Sequence, residues 1–292
     1  MRVTQSMMYD AANKSLGNEM AAIQSVTEKV SSSKRLNRPS DNPADVRSAI
    51  GLNDTLAQLN QFSRNIDSAT RTLSAMDTAL SGAGDLLQRA NELAIQGANG
   101  TLSASDRQSI GAEVSQLTEA MAQAAGAKVG DDYIFSGYKV GQPPYQVVGP
   151  GQVGAYTGDH GVTVARIGPA STMQVSLPGD AVFGPAIAAL TQLQADLNSG
   201  QPVAQTTIAQ LSTALQAMTQ AQASVGAREN RLTAAASSQQ DLITSNQSML
   251  SQLEDVDMPS AITELTQRQT TYQASLAITA KVMQSNLIDY LR

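Results

Sequence analysis

The strongest constraint on the fold is a set of apolar side chains that recur three and four residues apart across residues 44–98. This spacing places them along one stripe of an α-helix, in a nearly sustained heptad pattern. A helix of that length would extend for roughly 80 Å. Because a compact domain could not enclose it, we expect it to pair lengthwise with other helices. The stripe consists of Leu52, Leu56, Leu59, Phe62, Ile66, Ala69, Leu73, Met76, Leu80, Ala83, Leu87, Ala90 and Ala94.

Helical patterning also covers most of the remaining chain. The turn at Asn99 and Gly100 ends the long helix, and Ser103 with Asp106 predicts a capping box that starts the next one. Apolar periodicity then continues to about Ala124. Further helices are predicted for residues 3–34, 186–197, 203–253 and 257–291.

The two prolines of the sequence RPSDNP predict a corner between the first two helices. Asn42 can cap the second helix, Pro43 suits its first position, and Asp45 lies in its first turn near the positive end of the helix dipole. We therefore expect a helix-break corner formed by Pro39, Asp41, Asn42 and Pro43.

Glycine, proline and aromatic residues concentrate between about residues 130 and 184. Short alternating runs at residues 144–148, 161–167 and 172–177 predict strands separated by turns. The predicted fold is therefore mainly α: a long antiparallel helical rod, built as a coiled-coil bundle, with a small inserted antiparallel β domain. The expected segments are an N-terminal assembly helix at 1–42, rod segments at 43–130 and 185–256, the β domain at 131–184, and a C-terminal assembly helix at 257–292.

Composition argues against most site chemistry. The chain has no cysteine and a single histidine, His160, so we expect no thiol chemistry and no metal site built on several imidazoles. A formal net charge of −6, without a basic stripe, argues against a nucleic-acid partner. The densest acidic sites, 131–132 and 254–257, lie beside helix ends or breaks, and the basic cluster of Lys34, Arg35 and Arg38 is interpreted as a solvated turn. We expect no enzyme activity, no cofactor and no membrane span.

The two outer helices carry apolar stripes that have no evident partner nearby in the sequence. Helix stability comes chiefly from packing, so we expect these helices to be poorly ordered in a free monomer. We expect their stripes to be buried where the two helices meet each other and neighbouring copies. The predicted assembly residues are Leu16, Met20, Ile23 and Val30 in the first helix and Leu265, Tyr272, Leu276, Met283 and Leu287 in the last.

Motifs at both ends of the chain resemble the hook-associated junction proteins of the flagellin family. They are MRVT at the start, SSSKRLNRPSDNPA at residues 31–44 and SNLIDYL at residues 285–291. The segments YIFSGY at 133–138 and VGARENRL at 225–232 are also similar to this family. The resemblance covers about residues 1–140 and 205–292.

The resemblance implies a structural subunit that joins the hook of the bacterial flagellum to its filament by head-to-tail self-assembly. It implies export without a cleaved signal peptide to an extracellular position. The implied partners are copies of the same chain, a hook-side junction protein, filament flagellin and an export chaperone that binds the C-terminal helix. Two alternatives stay open, namely a filament flagellin and a coiled-coil signalling rod.

Overall fold

The computed structural model describes the backbone of residues 5–290, and the side chains of residue 7 and residues 9–281. Within these residues the chain forms six α-helices. They are α1 Gln5–Ser32, α2 Pro43–Gly97, α3 Ala104–Ala125, α4 Gly179–Asn198, α5 Gln205–Glu254 and α6 Met258–Tyr290. The chain divides into two compact units: Met1–Gln58 together with Leu242–Arg292 form the terminal unit, and Leu59–Asp241 forms the central unit. The prediction of five segments is a finer division and stays a prediction.

The apolar stripe of α2 forms the main seam of the central unit. Its side chains from Leu73 to Ala94 are fully buried at steps of three and four residues, as the spacing predicts. Helix α2 continues through Gly82 and Gly84, which lie off the seam where a side chain would meet open space. Side chains of α3, α4 and α5 join the same hydrophobic cluster.

Helix α3 begins at the predicted capping box. The Ser103 hydroxyl accepts a hydrogen bond from the Asp106 backbone N–H, and the Asp106 carboxylate accepts one from the Ser103 N–H. Two of the backbone donors that a helix start leaves unpaired are thereby satisfied. The helix then buries Val114, Thr118 and Met121 against the seam.

The glycine-rich segment forms three separate two-stranded antiparallel sheets. Their strands are short because glycines and prolines interrupt the alternating runs. Apolar side chains beside and within the strands, including Phe135, Ile167 and Met173, belong to the same cluster as the helices. The small antiparallel β region is therefore confirmed, and it shares the helical core. The strands are β1 Lys128–Val129, β2 Asp132–Tyr133, β3 Val147–Gly149, β4 Gln152–Val153, β5 Val164–Arg166 and β6 Thr172–Gln174.

Helix α4 begins earlier than its sequence predicts. The expected start was Ala186, just after Pro185, whereas the helix begins at Gly179 and contains the proline. A proline within a helix removes one backbone hydrogen bond. The additional turns bury Val182 and Phe183, and the Phe183 ring meets that of Phe135 edge-on at a centroid distance of 4.9 Å. Burial of these two side chains offsets the cost of the proline.

In the terminal unit, α1 packs against α6. Val26 of α1 and Ala261 of α6 are buried, as are Ala49 at the start of α2 and Ile243 near the end of α5. Both terminal parts of the chain therefore contribute buried apolar side chains to the terminal unit.

Candidate assembly surface

The predicted assembly residues of α1 lie on a face that is only partly covered. Leu16, Ile23 and Val30 are half-buried, whereas Met20 is 45 % exposed. Among the described side chains of α1, the most buried apolar one is Val26, which was not among the predicted assembly residues. The neighbouring Thr27 is exposed, and its hydroxyl donates to the Ile23 carbonyl oxygen. Val26 could have been found from its spacing, since it lies three residues after Ile23 and four before Val30.

The apolar face of α6 is less covered. Leu265 and Tyr272 are half-buried and Leu276 is 43 % exposed, while Met283 and Leu287 lie outside the residues whose side chains are described. Two further apolar side chains of α6 are exposed but were not among the predicted assembly residues, namely Ile262 at 49 % exposure and Ile278 at 64 %. Along its described length, α6 therefore presents more apolar surface than the sequence analysis named.

The two outer helices meet each other, since α1 packs on α6. An ion pair also links them: the Arg268 guanidinium lies 3.9 Å from the Glu19 carboxylate and 2.9 Å from that of Glu264, one turn earlier on α6. The two ends lie too far apart in sequence for local periodicity to reveal this pairing. The pairing leaves Met20 of α1 and three apolar side chains of α6 exposed.

The segment between α1 and α2 contains Pro39, Asp41 and Asn42, and its polar side chains bond to the backbone. The Asp41 carboxylate accepts hydrogen bonds from the N–H groups of Asn37 and Arg38 at 3.0 and 2.8 Å. These two bonds hold the pKa of Asp41 below its usual value. The Asn42 side-chain oxygen accepts from the N–H of Asp45, so Asn42 caps α2, and Pro43 is the first helical residue.

The basic cluster beside the corner is correctly placed at a turn, but its side chains are paired. Lys34 lies 2.6 Å from the Glu254 carboxylate, and Arg38 lies 2.7 Å from that of Glu28. Arg35 donates to the Asp45 carboxylate and to the Leu253 carbonyl oxygen, both at 2.8 Å. The cluster therefore ties the segment after α1 to the starts and ends of neighbouring helices.

Backbone hydrogen bonds also connect residues 33–35 with residues 254–256, and we call this pair of segments the clasp. Lys34 and Asp255 form an isolated antiparallel bridge, the Arg35 N–H donates to the Glu254 carbonyl, and the Val256 N–H donates to the Ser33 carbonyl. The break between α1 and α2 is thus hydrogen-bonded to the break between α5 and α6. These bonds fix the position of one helix break relative to the other.

The single histidine of the chain lies near one carboxylate. His160 is exposed and its Nδ1 lies 3.2 Å from the Asp180 carboxylate. Among the described residues, no group of three or more histidine, aspartate or glutamate side chains is placed to hold a metal ion. Within the same part of the chain, no helix is long and apolar enough to span a membrane.

Sequence comparison relates both ends of the chain to bacterial flagellins. Residues 3–140 match the bacterial flagellin N-terminal helical region and residues 208–291 match the C-terminal helical region. Flagellar hook-associated protein 3 of Escherichia coli is 26 % identical, covering 94 % of this chain and 95 % of the relative. The Salmonella typhimurium protein of the same name is 29 % identical over 63 % of this chain and 57 % of its own length.

Other relatives are filament proteins, and solved structures share the fold. The flagellar filament 30.7 kDa core protein of Treponema maltophilum is 29 % identical, covering 96 % of this chain and 95 % of the relative. Hook-associated protein 3 from Legionella pneumophila superposes with a TM-score of 0.63 at 16 % identity, over 69 % of this chain and 98 % of that structure. FlgL from Bacillus cereus superposes with a TM-score of 0.59 at 19 % identity, over 70 % of this chain and 99 % of that structure.

Proposed function

The chain belongs to the flagellin family of flagellar structural proteins, and from that premise we propose that it is the subunit that joins the hook to the filament. Two relatives carry the name of hook-associated protein 3, and one of them aligns over nearly its whole length. The proposal assigns a structural role rather than catalysis, with no cofactor.

The observation that carries the proposal is the apolar surface left on the paired terminal helices. Met20 of α1 and Ile262, Leu276 and Ile278 of α6 are each more than two-fifths exposed, although their helices already pack on each other. Covering a large apolar side chain completely contributes about 1.5–3 kcal/mol. Head-to-tail contacts with further copies, which generate open helical assemblies, would cover this surface.

We assign the predicted partners on the same grounds. Copies of the same chain would contact the terminal helices laterally, while a hook-side junction protein and filament flagellin would contact the layer from below and above. Before assembly, an export chaperone would cover the apolar face of α6. The position would be extracellular, reached by export without a cleaved signal peptide, with neither nucleic acid nor membrane as a partner.

A filament flagellin is the second candidate, favoured by the match to the Treponema maltophilum core protein over 95 % of its length. Deletion of the gene distinguishes the two. Loss of a junction subunit releases unpolymerised filament subunits into the medium and leaves hooks without filaments. Loss of a flagellin removes filament subunits from the medium and leaves the junction in place, which would overturn our assignment.

A substitution on α6 tests the assembly surface. Leu276→Asp places a charge on an exposed apolar position, so the chain should fold and be exported but fail to enter the flagellum, with loss of motility. Gln273→Asp adds the same charge at an exposed polar position of the same helix and should leave incorporation unchanged. Secreted protein and hook–filament particles are quantified by immunoblot. Wild-type motility with Leu276→Asp would contradict the proposed surface.

A further inference from the structure

The turn between α2 and α3 contains the only Asn-Gly pair of the sequence, Asn99 followed by Gly100. Helix α2 ends at Gly97 and α3 begins at Ala104, so the pair lies outside both helices. Both residues are exposed to solvent. The peptide between them is therefore free of the helical geometry that keeps a side-chain carbonyl away from the next backbone nitrogen.

Hydrogen bonds hold and polarise the Asn99 side chain. Its oxygen Oδ1 accepts from the Thr101 backbone N–H at 3.1 Å and from the Thr101 hydroxyl at 2.9 Å. The first bond is that of an Asx-turn, in which the side chain follows the path of the next peptide. Two donors on one carbonyl oxygen withdraw electron density from its carbon Cγ, which makes Cγ more susceptible to a nucleophile.

The candidate nucleophile for this carbon is the backbone nitrogen of Gly100, the next residue. Within the part of the chain that the structure describes, the Gly100 N–H donates to no acceptor. A Cβ added to Gly100 would meet no atom within 4 Å, so no residue beyond its two chain neighbours packs against that face of Gly100. Glycine also brings no side chain of its own that would hinder attack.

We propose that Asn99 is a site of spontaneous deamidation. The Gly100 nitrogen bonds to Cγ of Asn99, its proton passes to the departing side-chain nitrogen, and ammonia leaves as a cyclic imide forms. Water then opens the ring. Cleavage of the bond to Cγ gives aspartate, and cleavage of the bond to the main-chain carbonyl carbon gives isoaspartate. The reaction consumes one water, releases one ammonia and involves no oxidation.

The modification acts on a contact between two turns of the central unit. The Asn99 carbonyl oxygen accepts from Nη2 of Arg107 at 3.0 Å, and Nη1 of Arg107 donates to the Gly200 carbonyl at 2.9 Å. Arg107 is 5 % exposed, and its Nε has no partner among the described residues. An isoaspartate inserts one carbon into the main chain and displaces the accepting carbonyl. An aspartate adds a carboxylate to the residue that Arg107 already contacts.

Incubation of the purified full-length protein in mildly alkaline buffer tests the proposal, with each asparagine followed by peptide mass spectrometry. Asn53 and Asn246 are internal controls, because their side-chain amides donate to helix carbonyls at 3.0 and 2.8 Å. We expect Asn99 to deamidate roughly tenfold faster than either, since a positioned nucleophile accelerates intramolecular attack. A rate at Asn99 equal to that of the helical asparagines would overturn the proposal.

Gly100→Ala supplies the matched variant. The site has room for the added methyl group, so the fold is retained, and circular dichroism verifies this. The methyl group hinders the attacking nitrogen, so we expect deamidation at Asn99 to slow by roughly tenfold. An unchanged rate in a folded Gly100→Ala variant would show that the Gly100 nitrogen is not the nucleophile.

Discussion

At the corner between α1 and α2, one carboxylate determines the local backbone path. The pKa of Asp41 lies below its usual value of 3.8, because the ionised form accepts two backbone hydrogen bonds, chiefly that of Arg38 and then that of Asn37. For a lowered pKa, the stabilising contribution is present above 3.8 and is lost as the pH falls through the lower folded-state value. Asp41 thus stabilises the corner throughout the neutral range.

An NMR titration tests this. The Arg38 amide resonance should shift with a midpoint below 3.8 in the wild type, as protonation weakens the acceptor. Asp41→Ala should remove the titration altogether. A midpoint at or above 3.8, or a titration that persists in the variant, would show that Asp41 does not hold this amide.

Glu229 of α5 has a pKa that is shifted in the opposite direction from that of Asp41. Burial, and secondly the nearby Asp77 carboxylate, raise its pKa above the usual 4.5. A raised pKa means that the ionised group opposes folding above the folded-state value, and that this penalty disappears as the pH falls below 4.5. Glu229→Gln should therefore raise the melting temperature at neutral pH, with a gain that shrinks in acid. Asp67 of α2 is exposed, so the control Asp67→Asn should change the melting temperature little. An equal gain in melting temperature in this control would show that the effect comes from net charge rather than from burial of Glu229.

Among single residues, the sequence revealed the local contacts and missed the distant ones. Asn42, Pro43 and Asp45 act within one turn of the chain, so their capping roles follow from residue type and position. Lys34 pairs with Glu254 and Arg35 with the Leu253 carbonyl oxygen, each more than two hundred residues away in the chain. No local pattern specifies such a pairing, although the exposed position of the basic cluster at a turn did follow from the sequence.

At the scale of elements, helix boundaries follow from caps where caps exist. Ser103 and Asp106 mark the start of α3 in the sequence, and the structure confirms both bonds of the capping box. The start of α4 has no side-chain cap, and Pro185 suggested a later start than the one observed. There, tertiary burial of Val182 and Phe183 determines where the helix begins, and that information is not local.

Ser103→Ala tests the energetic value of the cap. The change removes the side-chain acceptor of the Asp106 N–H, and an N-cap of this kind contributes about 1 kcal/mol. Ser109→Ala is the matched control, because Ser109 is exposed within α3 and alanine favours a helix interior. Urea unfolding of the full chain should show a loss for the first variant and none for the second. Equal stability of the two variants would mean that the capping box does not stabilise α3.

At the scale of the whole molecule, the sequence predicts which helices carry an apolar stripe that must be buried. It does not identify the elements or molecules that cover each stripe. The seam of α2 finds its partners within the central unit, where α3, α4 and α5 close over it. Helices α1 and α6 pack against each other, and their apolar stripes remain partly exposed. The same apolar periodicity thus leads to a fully buried seam in the central unit and to partly exposed apolar faces in the terminal unit.

Backbone hydrogen–deuterium exchange tests most directly whether neighbouring subunits complete that surface. In a dilute monomer, the amides of α1 and α6 should exchange much faster than those of the α2 seam, because partly covered helices open locally more often. In isolated hook–filament particles, the same amides should become strongly protected. Full protection of α1 and α6 in the lone monomer, unchanged on assembly, would contradict the account.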